Sequence, residues 1–196
     1  RVASRGLGDV YKRQILVSIW SCHDSTINEN IIDYGIVINE INYNSSDDFD
    51  PGDWIEIYNN TNDSINMGLW VLKDENDDNI LVLPESTVII PDHYIVFCKD
   101  STKFSQSFPD VNFFKSELGF GLSGGNDDVR LFDSNGSLAD IVKYSDDPPW
   151  TTSADGEGPT LELKHPDLDN AHWENWVPSV GFGTPGSINS SFIDSY

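Results

Sequence analysis

The sequence predicts an all-β fold, a β-sandwich, on three observations. About eight short apolar stretches follow one another, several alternating apolar with polar residues, the pattern of half-buried strands. Gly, Pro, Asn and Asp separate them, and no stretch carries a long 3.6-residue period. The composition is 38% hydrophobic and 12% aromatic, with six Trp, which is enough apolar material for a core and excludes wholesale disorder. A chain of 196 residues suits one well-buried domain, with or without tails.

The strands follow in order. Gly35–Tyr43 alternates Ile36, Ile38, Ile41 and Tyr43 with a one-residue slip at Asn39-Glu40, as a β-bulge would leave. After the acidic loop Asn44–Gly52, Trp54–Tyr58 points Ile55 and Ile57 one way and Trp54, Glu56 and Tyr58 the other. Asn59–Ser64 is a turn, and Ile65–Lys73 reads as a single third strand. Asp74–Asn79 is another acidic turn. Ile80–Leu83 and Thr87–Ile90 are short strands split by Pro84, and His93–Lys99 is a longer one. Asp100–Gly119 reads as irregular, with Phe104, Phe108, Phe113 and Phe114 folded onto the core. Asp127–Asp133 and Leu138–Tyr144 form a hairpin across Ser134-Asn135-Gly136. Thr160–Lys164 is a last strand, Trp173–Trp176 a short helix or turn, and Gly183-Thr184-Pro185-Gly186 closes the domain.

The organisation is then a domain over 35–189, with other material on both sides. Residues 1–14 hold four of the eleven basic residues, match nothing downstream, and read as adapter-derived sequence outside the fold. Ile15–Cys22 is a short apolar run ending in a small residue and a cysteine. It resembles the end of a bacterial lipoprotein signal, with Ile19 and Ser21 at the expected places and Trp20 bulkier than the pattern prefers. On that reading Cys22 is a lipidation candidate and residues up to 34 are a tether; the alternative is a chance apolar stretch before a loop. Residues 190–196 read as a tail or the start of a linker to a further domain.

Acidic residues outnumber basic ones by 33 to 11, for a net charge of −22. That field repels phosphate backbones and anionic lipid, so no nucleic-acid partner is expected, and membrane contact only through a lipid anchor. Basic partners and divalent cations are favoured instead. Of the two cysteines, Cys98 lies in an apolar strand and Cys22 does not, so no disulfide framework is expected.

Several stretches together carry a likeness. Ile38-Asn39-Glu40-Ile41, Asp53–Asn59, Gly68–Leu72, Ile90-Pro91 with Tyr94-Ile95-Val96, and Gly121–Leu131 resemble the lamin tail domain family. Pro149-Trp150, Asp155-Gly156, Leu161-Glu162-Leu163, Trp176 and Gly183–Gly186 are similar to its bacterial branch. The resemblance implies an immunoglobulin-like β-sandwich. It also implies an accessory module of secreted or surface proteins, often beside spore-coat-type (CotH-like) kinase domains, nucleases or other hydrolases. The DNA and chromatin contacts of the animal relatives do not suit a chain this acidic.

The motif residues are Glu40, Trp54, Glu56 and Trp70. Glu40 and Glu56 suit either an acid/base or metal pair, or acceptors of backbone N–H groups that tie strand to loop; the second is preferred. Asp48, Asp50 and Asp53 in one loop, and Asp74, Asp77 and Asp78 in another, have spacings that could hold Ca²⁺, although neither matches an EF-hand loop. Otherwise no cofactor is expected. The histidines are scattered, no G-x-S-x-G elbow occurs, and the glycines of 121–125 lack a following Lys-Ser/Thr. Trp150, Trp173 and Trp176, with Tyr144, could line a carbohydrate or peptide groove, or cover one end of the sandwich. No catalytic residue is assigned. The expected function is a non-catalytic extracellular or cell-surface module contacting a protein or surface polymer. The alternatives are an accessory domain of a larger enzyme, or a Ca²⁺-stabilised adhesin.

Overall fold

In the computed structural model, which describes residues 31–114 and 116–194, two antiparallel sheets pack face to face. The first runs β11-β10-β1-β2-β7, with β1 at Ile36–Asn42, β2 at Trp54–Asn59, β7 at Tyr94–Cys98, β10 at Leu161–Leu163 and β11 at Trp176–Pro178. The second runs β5-β4-β8-β9, with β4 at Val71–Lys73, β5 at Ile80–Val82, β8 at Asn126–Phe132 and β9 at Leu138–Ser145. A two-stranded ribbon, β3 (Ile65–Asn66) and β6 (Val88–Ile89), stands beside them. The proposed leader, Cys22 and the adapter-like segment lie outside the described residues.

Strand alternation places the core. Ile38, Ile57, Phe97 and Leu163 from the five-stranded sheet meet Leu72, Val129, Leu131 and Val142 from the four-stranded sheet, all buried. Trp70 joins this cluster, with the Tyr34 ring tilted against it at 4.9 Å. The β8–β9 hairpin lies where expected, with β8 shifted by one residue at both ends and β9 one residue longer.

The slip at Asn39-Glu40 is a register shift in the β1–β2 ladder between Ile38 and Glu40. It turns Ile41 back to the core and leaves Asn39 as the extra residue. β10 pairs with β1 only at Glu40 and Ile41, so the earlier half of that edge needs other partners. Asp140 of β9 accepts the Ile38 N–H at 2.6 Å, and the Asn170 amide donates to the Ile38 carbonyl and to Asp140. Side chains from the opposite sheet and a loop thus finish a ladder that β10 is too short to finish.

Two expectations need correction. Ile65–Lys73 is two strands, because the chain turns at Met67–Trp70, where Leu69 has a φ of 63° and Trp70 N–H bonds Met67 carbonyl. Asp100–Gly119 contains a helix, α1 (Ser101–Ser107), whose N-cap Asp100 accepts from the N–H groups of Thr102 and Lys103. At seven residues it is too short to leave a readable helical period. The short helix or turn expected at Trp173–Trp176 is present as a single 3-10 turn over Trp173–Asn175, with Trp176 opening a strand instead.

Helix α1 lies on the outer face of the five-stranded sheet. There Phe104 closes a second, small core with Trp54, Val96 and Cys98, flanked by Phe108, Val111 and Phe113. The Trp54 and Phe104 rings meet edge-on at 6.0 Å. Burial pushes the Cys98 thiol up to about 11, with Glu117 and Asp100 adding to the shift, which leaves it a poor nucleophile. None of the helices among the described residues is long and apolar enough to cross a membrane.

Candidate functional site

Polar groups converge most densely on that same outer face. β1, β2 and β10 each put one glutamate there, because Glu40, Glu56 and Glu162 alternate with the core-facing isoleucines and leucines. Glu40 stands directly opposite Glu162 on one side and Glu56 on the other. Three carboxylates therefore form a row across three adjacent strands, and all three have 0% exposure. Like charges at directly opposed positions are destabilising, and buried ones more so.

The chain after β11 answers this. Residues 179–193 cross the face as a strap of N–H and hydroxyl donors. Thr184 N–H donates to Glu40 at 3.0 Å, and Thr160 Oγ1 donates to the same oxygen. Gly186 N–H donates to Glu56, whose other oxygen accepts the Asn39 amide at 2.9 Å. Thr184 Oγ1 donates to Glu162 at 2.9 Å, and the backbone N–H groups of Ser190 and Ser191 each reach it at 3.0 Å. Asn39 and Asn189 exchange side-chain bonds beside the row. Ile193 N–H bonds the Lys164 carbonyl, so the bonded strap runs past Asn189, the expected domain end.

Burial raises the carboxyl of Glu40 well above the usual range, with Glu56 and Glu162 adding to the effect against the donors from Thr160 and Thr184. Burial likewise pushes Glu56 up to about 8, partly offset by Gly186 and Asn39. This arrangement stores no reactive carboxylate for a substrate. Each acid is sealed from solvent, and its oxygens are occupied by the chain's own donors. Its chemistry is that of a latch between strand and strap.

Trp54 forms the wall between latch and second core. Its ring and Glu40 bracket Gly183, whose φ is +94°. A Cβ there would stand 2.7 Å from Glu40 Oε1 and 2.9 Å from both the Trp54 ring and Thr160. Replacing Gly183 by alanine is expected to cost about 2–4 kcal/mol, from the strained backbone and the overlap together. Urea unfolding measures it, and a loss below about 0.5 kcal/mol would show that the strap gives way freely.

The acidic-loop residues do not converge. Asp50 pairs with Lys103, while Asp53 accepts from the Leu122 N–H and pairs with Lys99. Asp74 accepts from the Asn76 N–H and the Asn79 amide, and Asp77 pairs with Lys73 and Arg130. Asp48 and Asp78 are exposed. Among the described residues, no group of three or more His, Cys, Asp or Glu is placed to hold a metal ion. The aromatic set does not form a groove either. Tyr144 is buried and stacked on Tyr43, Trp176 is buried with its indole N–H on the Asn170 carbonyl, Trp150 packs beside Trp176, and Trp173 is exposed.

The third glutamate was missed at the level of sequence. Its signal was the alternation Leu161-Glu162-Leu163, which places a carboxylate between two core leucines just as Ile55-Glu56-Ile57 does.

The family model for the lamin tail domain matches residues 34–146, more than half of the chain. The chain belongs to the lamin tail domain family. The antiparallel two-sheet architecture is the immunoglobulin-like sandwich of that family, whose domains are not enzymes. No curated protein matches the chain. In this lamin tail domain, Glu40, Glu56, Trp54 and Trp70 fall inside the matched residues, whereas Glu162 and the strap that seals the latch follow them.

Proposed function

We propose that this lamin tail domain is a non-catalytic interaction module of a bacterial secreted or cell-surface protein, which contacts a protein or a surface polymer through its exterior. One observation carries this: the converging carboxylates are fully buried and bonded to the chain's own strap, so the chemistry left to partners is that of an acidic surface. The net charge of −22 argues against nucleic acid and for a partner with basic groups. Lipidation of Cys22 would hold the domain at the membrane surface. Labelled protein should bind intact cells or isolated envelopes saturably, and binding that stays linear with concentration on both would overturn the proposal.

We propose as a second reading an accessory domain of a kinase or hydrolase, which rests on what the family resemblance implies. An in-frame catalytic domain in the gene downstream of Tyr196 would favour it, and a stop codon directly after Tyr196 would end it.

A further inference from the structure

The strap does more than cover glutamates. Where it passes β2 and β7 it closes a pocket of about 190 Å³. One wall is the Tyr58–Tyr94 pair on the sheet, with ring centroids 4.8 Å apart. The other is the His165–Phe192 pair, also 4.8 Å apart, in which Phe192 belongs to the strap. The floor is Asn39 and Asn189, both buried, whose amide N–H groups are directed at Glu56, at each other and at backbone carbonyls. Each side-chain carbonyl oxygen already accepts one bond from the other amide and has one further lone pair.

The permanently charged groups at the rim are carboxylates, and the His165 imidazole in the wall lies 3.7 Å from one of them, Asp167. Tyr58 Oη donates to Asp92 at 3.1 Å, and the Asn60 amide, also at the rim, donates to Asp167. Burial pushes the Tyr58 hydroxyl up to about 12, with Asp92 and then Asp167 adding to it. Burial raises Tyr94 further, with Glu56, Tyr58, Asp92 and Glu40 contributing. None of the residues lining the pocket is Lys or Arg. Aromatic faces on two sides, acceptors beneath and carboxylates around the rim attract a compact organic cation and repel an anion. The volume is below that of pockets for drug-sized ligands but admits an ammonium head group.

We infer that the Tyr58–Tyr94–His165–Phe192 pocket binds an organic ammonium group, either free or carried on a lysine side chain of a partner. This rests on the reading of the domain as an interaction module, and it names the chemical group that the module grips.

The test is an NMR titration of the full chain at constant ionic strength, following aromatic and backbone signals. The probes are choline, N-acetyl-lysine methylamide and the neutral choline isostere 3,3-dimethylbutan-1-ol. Saturable shifts centred on Tyr58, Tyr94 and Phe192 are expected with at least one cation, with Kd on the order of millimolar. The tighter of the two cations identifies the source. The neutral isostere should bind about tenfold more weakly or not at all. Phe192→Ala removes a surface ring, and Tyr58→Leu a half-buried one; each should weaken binding about three- to tenfold, whereas Tyr58→Phe should retain most of it. Equal binding of the neutral isostere, shifts that map elsewhere or stay linear, or unchanged affinity in both Phe192→Ala and Tyr58→Leu would overturn the inference. Saturable cell binding without cation binding would sink the pocket and leave the module standing, and the converse result would do the opposite.

Discussion

A chain ended at Pro178 is expected to lose its cooperative fold. The cut removes the donors from Thr184, Gly186, Ser190 and Ser191, and leaves Glu162, Glu40 and Glu56 opposed in register with only the Thr160 hydroxyl and the Asn39 amide to offset their mutual repulsion. It also uncovers Trp54, which is fully buried in the intact domain. The combined loss should be about 5 kcal/mol or more, the order of the whole stability of a domain. Circular dichroism and tryptophan fluorescence on heating measure it. A shortened chain that melts within a few degrees of the parent would show that the strap is an ornament. Two causes can be separated: if repulsion dominates, Glu40→Gln with Glu56→Gln in the shortened chain should recover part of the loss, and if exposure of Trp54 dominates, it should not.

The second large effect is a stability that falls as pH rises from 5 to 8. Glu56 moves from an ordinary carboxyl value of 4.5 to about 8 in the folded chain, and Asp140 from 3.8 to about 6, each chiefly through burial. Both values are raised, so between the unfolded and folded values the native state holds protons that the unfolded chain has released. Stability is then complete below the unfolded values and is lost as pH climbs through 6 for Asp140 and through 8 for Glu56. Glu40 is shifted in the same direction. The melting midpoint should drop by about 5–10 °C across this range. Glu56→Gln keeps one of the two acceptor contacts and cannot ionise, so its curve should be flatter above pH 6. A parent midpoint that rises with pH, or a variant with the parent's slope, would refute the assignment.

Much of the fold was legible in the residues because alternation records a sheet with one apolar face. Ile55 and Ile57 against Trp54, Glu56 and Tyr58 placed β2, and the slip at Asn39-Glu40 located the bulge. The β8–β9 hairpin was legible through its turn residues. What escaped were features whose cause is distant. Ile65–Lys73 looks continuous because its apolar residues face the core on both sides of the turn at Met67–Trp70. Residues 179–193 carry almost no periodicity, since they act through backbone N–H groups and small hydroxyls, which any loop possesses. The row of three glutamates needs the register of β10 on β1, and no local pattern states which strands are neighbours.

The span of the latch also sets the order in which the domain can be completed. Glu40 and Thr184 are 144 positions apart, and Asn39 and Asn189 are 150 apart. During synthesis at roughly 5–20 residues per second, β1 waits on the order of ten seconds before the residues that seal its outer face exist. The hairpin of β8 and β9 can form before that, but the outer face of the five-stranded sheet stays unsealed. Completion of this lamin tail domain is therefore a late event in synthesis, because a donor that seals the outer face of β1 comes 144 positions after Glu40.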